Sequence, residues 1–259
     1  MRKKGFPHSL IMPATALLLV VVAAGNAAAA DDASIAEAEA GESAAEVAIT
    51  PRRHSRADER MGYGELAVGV LVAPARTFGR AGAAANAAAL GWGITLGYGV
   101  MYAQTALILG LKNVKPFYPH PLNPTPDDKF YLVQAGHTVP SSLAFMGAGY
   151  GAALGLIELF GGSADPAALW AGYSAAVIMP TFVTMWIPET TIALTMRNPQ
   201  EVGWPEWVDL GRQIAGTAWS VALSAVAVTV LADIPWWQGA IIGTVATGIT
   251  GALFGMFYR

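Results

Sequence analysis

The sequence predicts an all-α membrane protein: a five-helix transmembrane bundle with Gly/Ala-striped helix interfaces, preceded by a signal peptide and a disordered tail. Three observations predict it. Of the 259 residues 54% are hydrophobic and 13% charged, where soluble domains carry about 25% charged residues. The apolar residues fall in blocks long enough to cross a bilayer, separated by short polar loops. The small residues within those blocks recur at intervals of four, the spacing that keeps them on one helix face. A net charge of −3, with no basic, aromatic-interleaved surface, gives nucleic acid nothing to bind. The chain has no cysteine, which excludes disulfides, thiolate metal sites and cysteine nucleophiles.

Residues 1–30 read as an export signal. "MRKK" is cationic, "LIMPATALLLVVVAA" is an apolar run of signal length, and "NAAAADD" offers an Ala-x-Ala cleavage site ending at Ala30. The competing reading is an uncleaved anchor helix. Residues 31–60, Ala/Glu-rich and then Arg-rich, lack the large apolar side chains needed to offset ordering entropy. They are expected to form a disordered or weakly helical exported tail, with His54 a solvated bystander. Residues 61–80 carry an apolar run too short to span, interrupted by Pro74 and followed by Arg76 and Arg80. This suits an interfacial or re-entrant lead-in.

The transmembrane domain covers 81–259, with spans expected at about 81–111, 137–160, 166–187, 210–231 and 236–258. The first has no charged residue from Ala81 to Leu111. Asp165-Pro166 supplies a cap and a first-turn proline for the third, and Pro180 predicts a kink within it. "DIPWW" turns the fourth into the fifth.

The basic residues set the orientation. Lys112, Lys115 and Lys129 follow span one, Arg197 follows span three, Arg212 opens span four and Arg259 ends the chain. The loops after spans two and four carry neither Lys nor Arg. The positive-inside rule then predicts an exported N-terminal tail, periplasmic if the membrane is a bacterial inner one, and a cytoplasmic C-terminus. The cluster from Arg52 to Arg80 opposes this placement, partly offset by Asp58, Glu59 and Glu65. Trp186, Trp204, Trp207, Trp236, Trp237, Phe257 and Tyr258 lie near span ends, where amphipathic rings favour headgroups, and Trp92 and Trp219 are expected in the core.

The small-residue stripes are Ala81, Ala85, Ala89, Gly93 and Gly97; Gly147, Gly151 and Gly155; and Gly239, Gly243, Thr247, Gly251 and Gly255. Each glycine costs a soluble helix about 1 kcal/mol relative to Ala. So many predict close helix seams, or alternatively an oligomeric pore.

Candidate chemistry is sparse. Glu158 is the one acid near the interior of a predicted span, and His137 stands where span two is expected to open. Together they are candidates for an ion or proton pathway, with headgroup-level polar residues as the alternative for each. His120, Asp127, Asp128 and His137 hold metal-ligand types but match no template that places two ligands on one face. No nucleophile elbow, Walker loop or dinucleotide fingerprint occurs, and no cofactor is predicted.

The run from "AGHTVPSSLAFMGAGYGAALGLIELFG" through "ALWAGYSAAVIMPTFVTMWIPE" to "GWPEWVDLGRQIAGTAWS", about residues 130–222, resembles the YagU-like family of small bacterial inner-membrane proteins. His137 is the matching polar position. Where that family carries further histidines, this chain has Thr184 and the stretch from Arg212 to Ile214. The resemblance implies a multi-pass inner-membrane protein linked to acid tolerance. The function expected is a non-enzymatic packing, scaffold or accessory membrane component, bound by lipid and able to self-associate or meet a membrane-protein partner. Two alternatives stay open: a small channel or ion pathway using Glu158 and His137, and a membrane enzyme with a metal site in the 115–137 loop.

Overall fold

Among the described residues of the computed structural model, 60–114, 116, 125–195 and 206–257, every regular element is helical. Chain contacts separate Met1–His54 from Ser55–Arg259, and all of these residues belong to the second unit. The signal, the tail up to residue 59, Lys115, His120, Arg197, Trp204, Tyr258 and Arg259 lie outside the described residues.

The expected lead-in folds as a helical hairpin. Helix α1 (Tyr63–Val72) and helix α2 (Pro74–Ala83) meet at Ala73, and Pro74 fits the first turn of α2 because its missing N–H is not needed there. The backbone at the tip is satisfied within the hairpin. Ala73 N–H donates to Gly69 O at 2.7 Å, and the Ala73 carbonyl accepts from Thr77 N at 3.0 Å and Thr77 Oγ1 at 2.8 Å. Such closure is what lipid demands of a non-spanning segment. Each helix has ten residues, about 15 Å of rise, so the hairpin can reach about halfway through a ~30 Å hydrocarbon core. Leu66, Val70, Phe78 and Ala81 are buried, and Glu65 pairs with Arg80 across the two helices.

Helix α3 (Ala87–Leu111) begins at Ala87 rather than Ala81. The side chain of Asn86 holds the chain there, with Oδ1 accepting from Met61 N at 3.0 Å and Nδ2 donating to Met61 O at 2.9 Å. Helix α4 (Phe130–Leu159) starts before the expected residue 137 and continues through Pro140. It ends at Gly161, whose φ of 77° is the left-handed conformation that closes a helix. Gly161 and Gly162 then donate to Glu158 O and Ile157 O, each at 2.9 Å.

Helix α5 (Pro166–Thr181) is capped as its sequence requires, with Asp165 Oδ1 accepting from Ala168 N at 2.8 Å. It does not stop near residue 187. A π-helical turn at Phe182–Trp186 carries it into helix α6 (Ile187–Thr195). Helices α7 (Glu206–Ala232) and α8 (Trp236–Phe257) complete the bundle. Helices α3, α4, the α5–α6 stretch, α7 and α8 make five segments long and apolar enough to cross a membrane. The chain is therefore a multi-pass membrane protein. Leu107, Val133, Ile241 and Val245 are among the large exposed side chains left for lipid.

The helices close a ring in the order α3, α4, α8, α7, α5 and back to α3, with α2 packed on α5 and α7 from outside. Between those neighbours every residue of α5 from Ala168 to Ile178 is buried, as expected of a helix apolar on all sides. Hydroxyls tie its seams. Thr95 Oγ1 donates to Ser174 Oγ at 3.0 Å between α3 and α5, and Ser220 Oγ donates to Val177 O at 3.1 Å between α7 and α5. Thr247 Oγ1 donates to Ser224 Oγ at 3.0 Å between α8 and α7, and Thr250 Oγ1 donates to Phe145 O at 3.2 Å between α8 and α4. Tyr173 Oη reaches from α5 to within 2.8 Å of Thr250 Oγ1. Tyr173→Phe removes the hydroxyl that meets Thr250 and Thr247, so thermal unfolding in detergent should register a loss of about 1 kcal/mol.

Trp92 corrects a core assignment. It is 51% exposed and lays its ring beside Trp170, centroids 5.3 Å apart, because the inward face of α3 is formed by Leu90, Gly91, Ile94, Thr95 and Tyr98.

Candidate functional site

Among the described residues, a cluster of ionisable groups lies at the end of the bundle where α3 ends and α4 and α7 begin. Pro188 starts it. A proline has no N–H to give the carbonyl four residues back, which here is Thr184 O. Arg212 Nη1 of α7 donates to that oxygen instead, at 3.1 Å. Gly216, one turn along α7, makes the approach close enough, since a Cβ there would lie 3.3 Å from Thr184 Cβ.

The same guanidinium meets two carboxylates. It pairs with Asp209 on its own helix and stands 3.5 Å from Glu189 Oε1 of α6. Gln213 Nε2 donates to the second oxygen of Asp209 at 2.8 Å, and Tyr102 Oη of α3 donates to Glu189 Oε2 at 3.2 Å. One turn further along, Thr105 and Thr190 share a hydroxyl contact of 2.7 Å, and Lys112 donates to Ala193 O. The Arg212 side chain is only 13% exposed, with Glu189 and Asp209 at 30% and 28%. Charges so removed from water persist when paired and hydrogen-bonded. Chemically, the arrangement can clamp three helices, and Tyr102 and Glu189 can share a proton across their hydrogen bond.

The predicted site residues are not brought together. His137 lies inside α4, partly buried, and its Nδ1 is 3.2 Å from Ser141 Oγ. Ser141 Oγ also donates to His137 O, at 2.7 Å. Glu158 is exposed in the last turn of the same helix, about 31 Å away along the axis. Asp127 and Asp128 are exposed in the turn before α4. Among the described residues no three His, Asp or Glu side chains converge on one point.

The glycines divide into two sets. Gly239 and Gly243 of α8 face α7 backbone, where an added Cβ would lie 2.9 Å from Ala225 O and 2.5 Å from Ala225 N respectively. Gly93 of α3 faces the ring of Tyr63, whose hydroxyl donates to Ala89 O at 3.0 Å. Gly97, Gly147, Gly151, Gly155, Gly251 and Gly255 have open space beside them.

In the sequence, Arg212 and Asp209 stand at the start of span four and Glu189 just after span three, ends at which pairing or snorkelling suffices, and nothing there brings the three to one point. The Asp209-x-x-Arg212 spacing was a visible pairing signal, and Pro188 beside Glu189 marked a freed carbonyl inside a span. Comparison with protein-family models, curated proteins and solved structures finds no match to this chain.

Proposed function

We infer that the protein is a non-enzymatic scaffold or accessory component of a bacterial inner membrane, with its N-terminal tail in the periplasm and its C-terminus in the cytoplasm. The filled centre of the helix ring carries this reading. Tyr98 and Phe145 both set their rings against Phe254, at centroid distances of 6.5 and 5.2 Å, and Tyr173 closes the space towards Thr250. Such packing supports a bundle held in one arrangement, where a transporter needs two. Lys112 and Lys129 at the α3–α4 end support the orientation. Self-association along the open glycine files of α4 and α8 belongs to the same reading, since small residues let a neighbouring backbone approach.

Proteoliposomes test it. Under an imposed pH gradient or potassium gradient, vesicles carrying the protein should leak no faster than empty ones, and flux above that baseline overturns the scaffold reading. A second reading, a proton or ion pathway, is favoured by Gln134 Oε1 and Ser142 Oγ. Both are buried in α4 without a hydrogen-bond partner among the described residues, a setting in which water is the usual occupant. Under that reading flux is present and falls in Glu189→Gln.

A further inference from the structure

At the opposite end of the bundle from the Arg212 cluster, an open groove of about 460 Å³ is lined by Arg60, Arg76 and Arg80 and floored by Gly79, Ala83 and Ala84. We propose that it docks the phosphodiester headgroup of an anionic phospholipid from the surrounding leaflet.

Its depth comes first. Met61, next to Arg60, is tied to Asn86 at the head of α3, and Ala83 and Ala84 end α2 just before that head. The groove thus lies where the first long helix meets the membrane surface, at headgroup level. Its charge comes from the pattern of α2. Thr77, Phe78 and Ala81 turn into the protein, which leaves Arg76 and Arg80, four residues apart, together on the outward face. Arg60 adds a third guanidinium from the other side. Among the described residues, three guanidinium groups face one carboxylate, Glu65, which pairs with Arg80.

The chemistry selects the ligand. Guanidinium forks match phosphate oxygens with two parallel hydrogen bonds, and small residues on the floor leave the space for them. The volume falls within the roughly 300–1,000 Å³ of ordinary ligand clefts. The same hairpin exposes Val68 and Val72, at 62% and 76%, so it offers an apolar surface for acyl chains as well as the cationic groove. A free phosphate would use only the second. Arg76 starts one turn nearer the hairpin tip than Arg80, and its long apolar stem lets the guanidinium reach back to a phosphate at headgroup level.

The experiment titrates the full chain, purified in mild detergent, with phosphatidylglycerol and with phosphatidylcholine, counting bound lipid by native mass spectrometry. Phosphatidylglycerol should bind at least tenfold more tightly. Arg60→Gln and Arg76→Gln, which spare the Arg80–Glu65 pair, should each weaken it about fivefold while leaving the unfolding temperature in lipid-free detergent unchanged. Equal affinity for the two lipids overturns the proposal, as does unaltered phosphatidylglycerol binding in the variants. Displacement of the lipid by millimolar inorganic phosphate overturns the lipid as the ligand. If a variant fails to fold, the discrimination between lipids by the native chain still decides.

Discussion

Arg212→Ala should lower the stability of the bundle by about 3–5 kcal/mol, the loss expected when one partner of a buried ionic group is removed and its counter-charges stay behind. Two carboxylates, Glu189 and Asp209, would then face each other's helices without the guanidinium, and Thr184 O would lose the donor that stands in for Pro188. Unfolding in mixed micelles of increasing denaturing detergent is the measurement. Glu189→Gln should cost much less, because the amide oxygen can still accept from Tyr102 and Arg212 keeps Asp209. Combining Arg212→Met with Glu189→Gln and Asp209→Asn should recover most of the loss, since no uncompensated charge remains. A triple variant no more stable than Arg212→Ala would show that the bond to Thr184 O, and not the charge balance, carries the effect.

Gly243→Ala should cost about 2–3 kcal/mol, the range for overpacking a tight contact. A Cβ at this position meets backbone of α7, Ala225 N at 2.5 Å and Ser224 C at 2.9 Å, and backbone cannot swing aside as a side chain can. The same change at Gly251, two turns along the same stripe, meets nothing within 4 Å. It should leave stability within about 0.5 kcal/mol of the parent, as surface substitutions do. Thermal unfolding of the two variants in one detergent compares them directly, and equal losses would mean that α7 and α8 do not pack at Gly243 as described.

That contrast shows what a sequence can and cannot display. A repeat of four places Gly239, Gly243, Gly251 and Gly255 on one face of α8, and period alone carries no information about which neighbour runs beside which turn. The five apolar segments were legible because bilayer thickness imposes length and composition on each one separately. Helix boundaries set by a partner were not. The start of α3 depends on Asn86 reaching Met61, and the continuation past Ile187 depends on Arg212 supplying a donor to Thr184 O. The apolar run places His137 where span two opens, whereas the helix begins about two turns earlier, at Phe130, and continues through Pro140. The charged cluster was invisible as a cluster for the same reason: its members come from three helices, and only Asp209 and Arg212 are near each other in sequence.

The α1–α2 hairpin also imposes an order of events. It is made before any of the five spans, yet Phe78 and Gly82 rest against α5 and α7, the helices carrying Gly172, Ala168 and Leu231. During synthesis those surfaces do not exist until α3 to α7 have emerged. Inserted in chain order, the hairpin would keep Leu66, Val70 and Phe78 towards lipid until those helices arrive, and its burial would then be a lateral docking of a segment that came first.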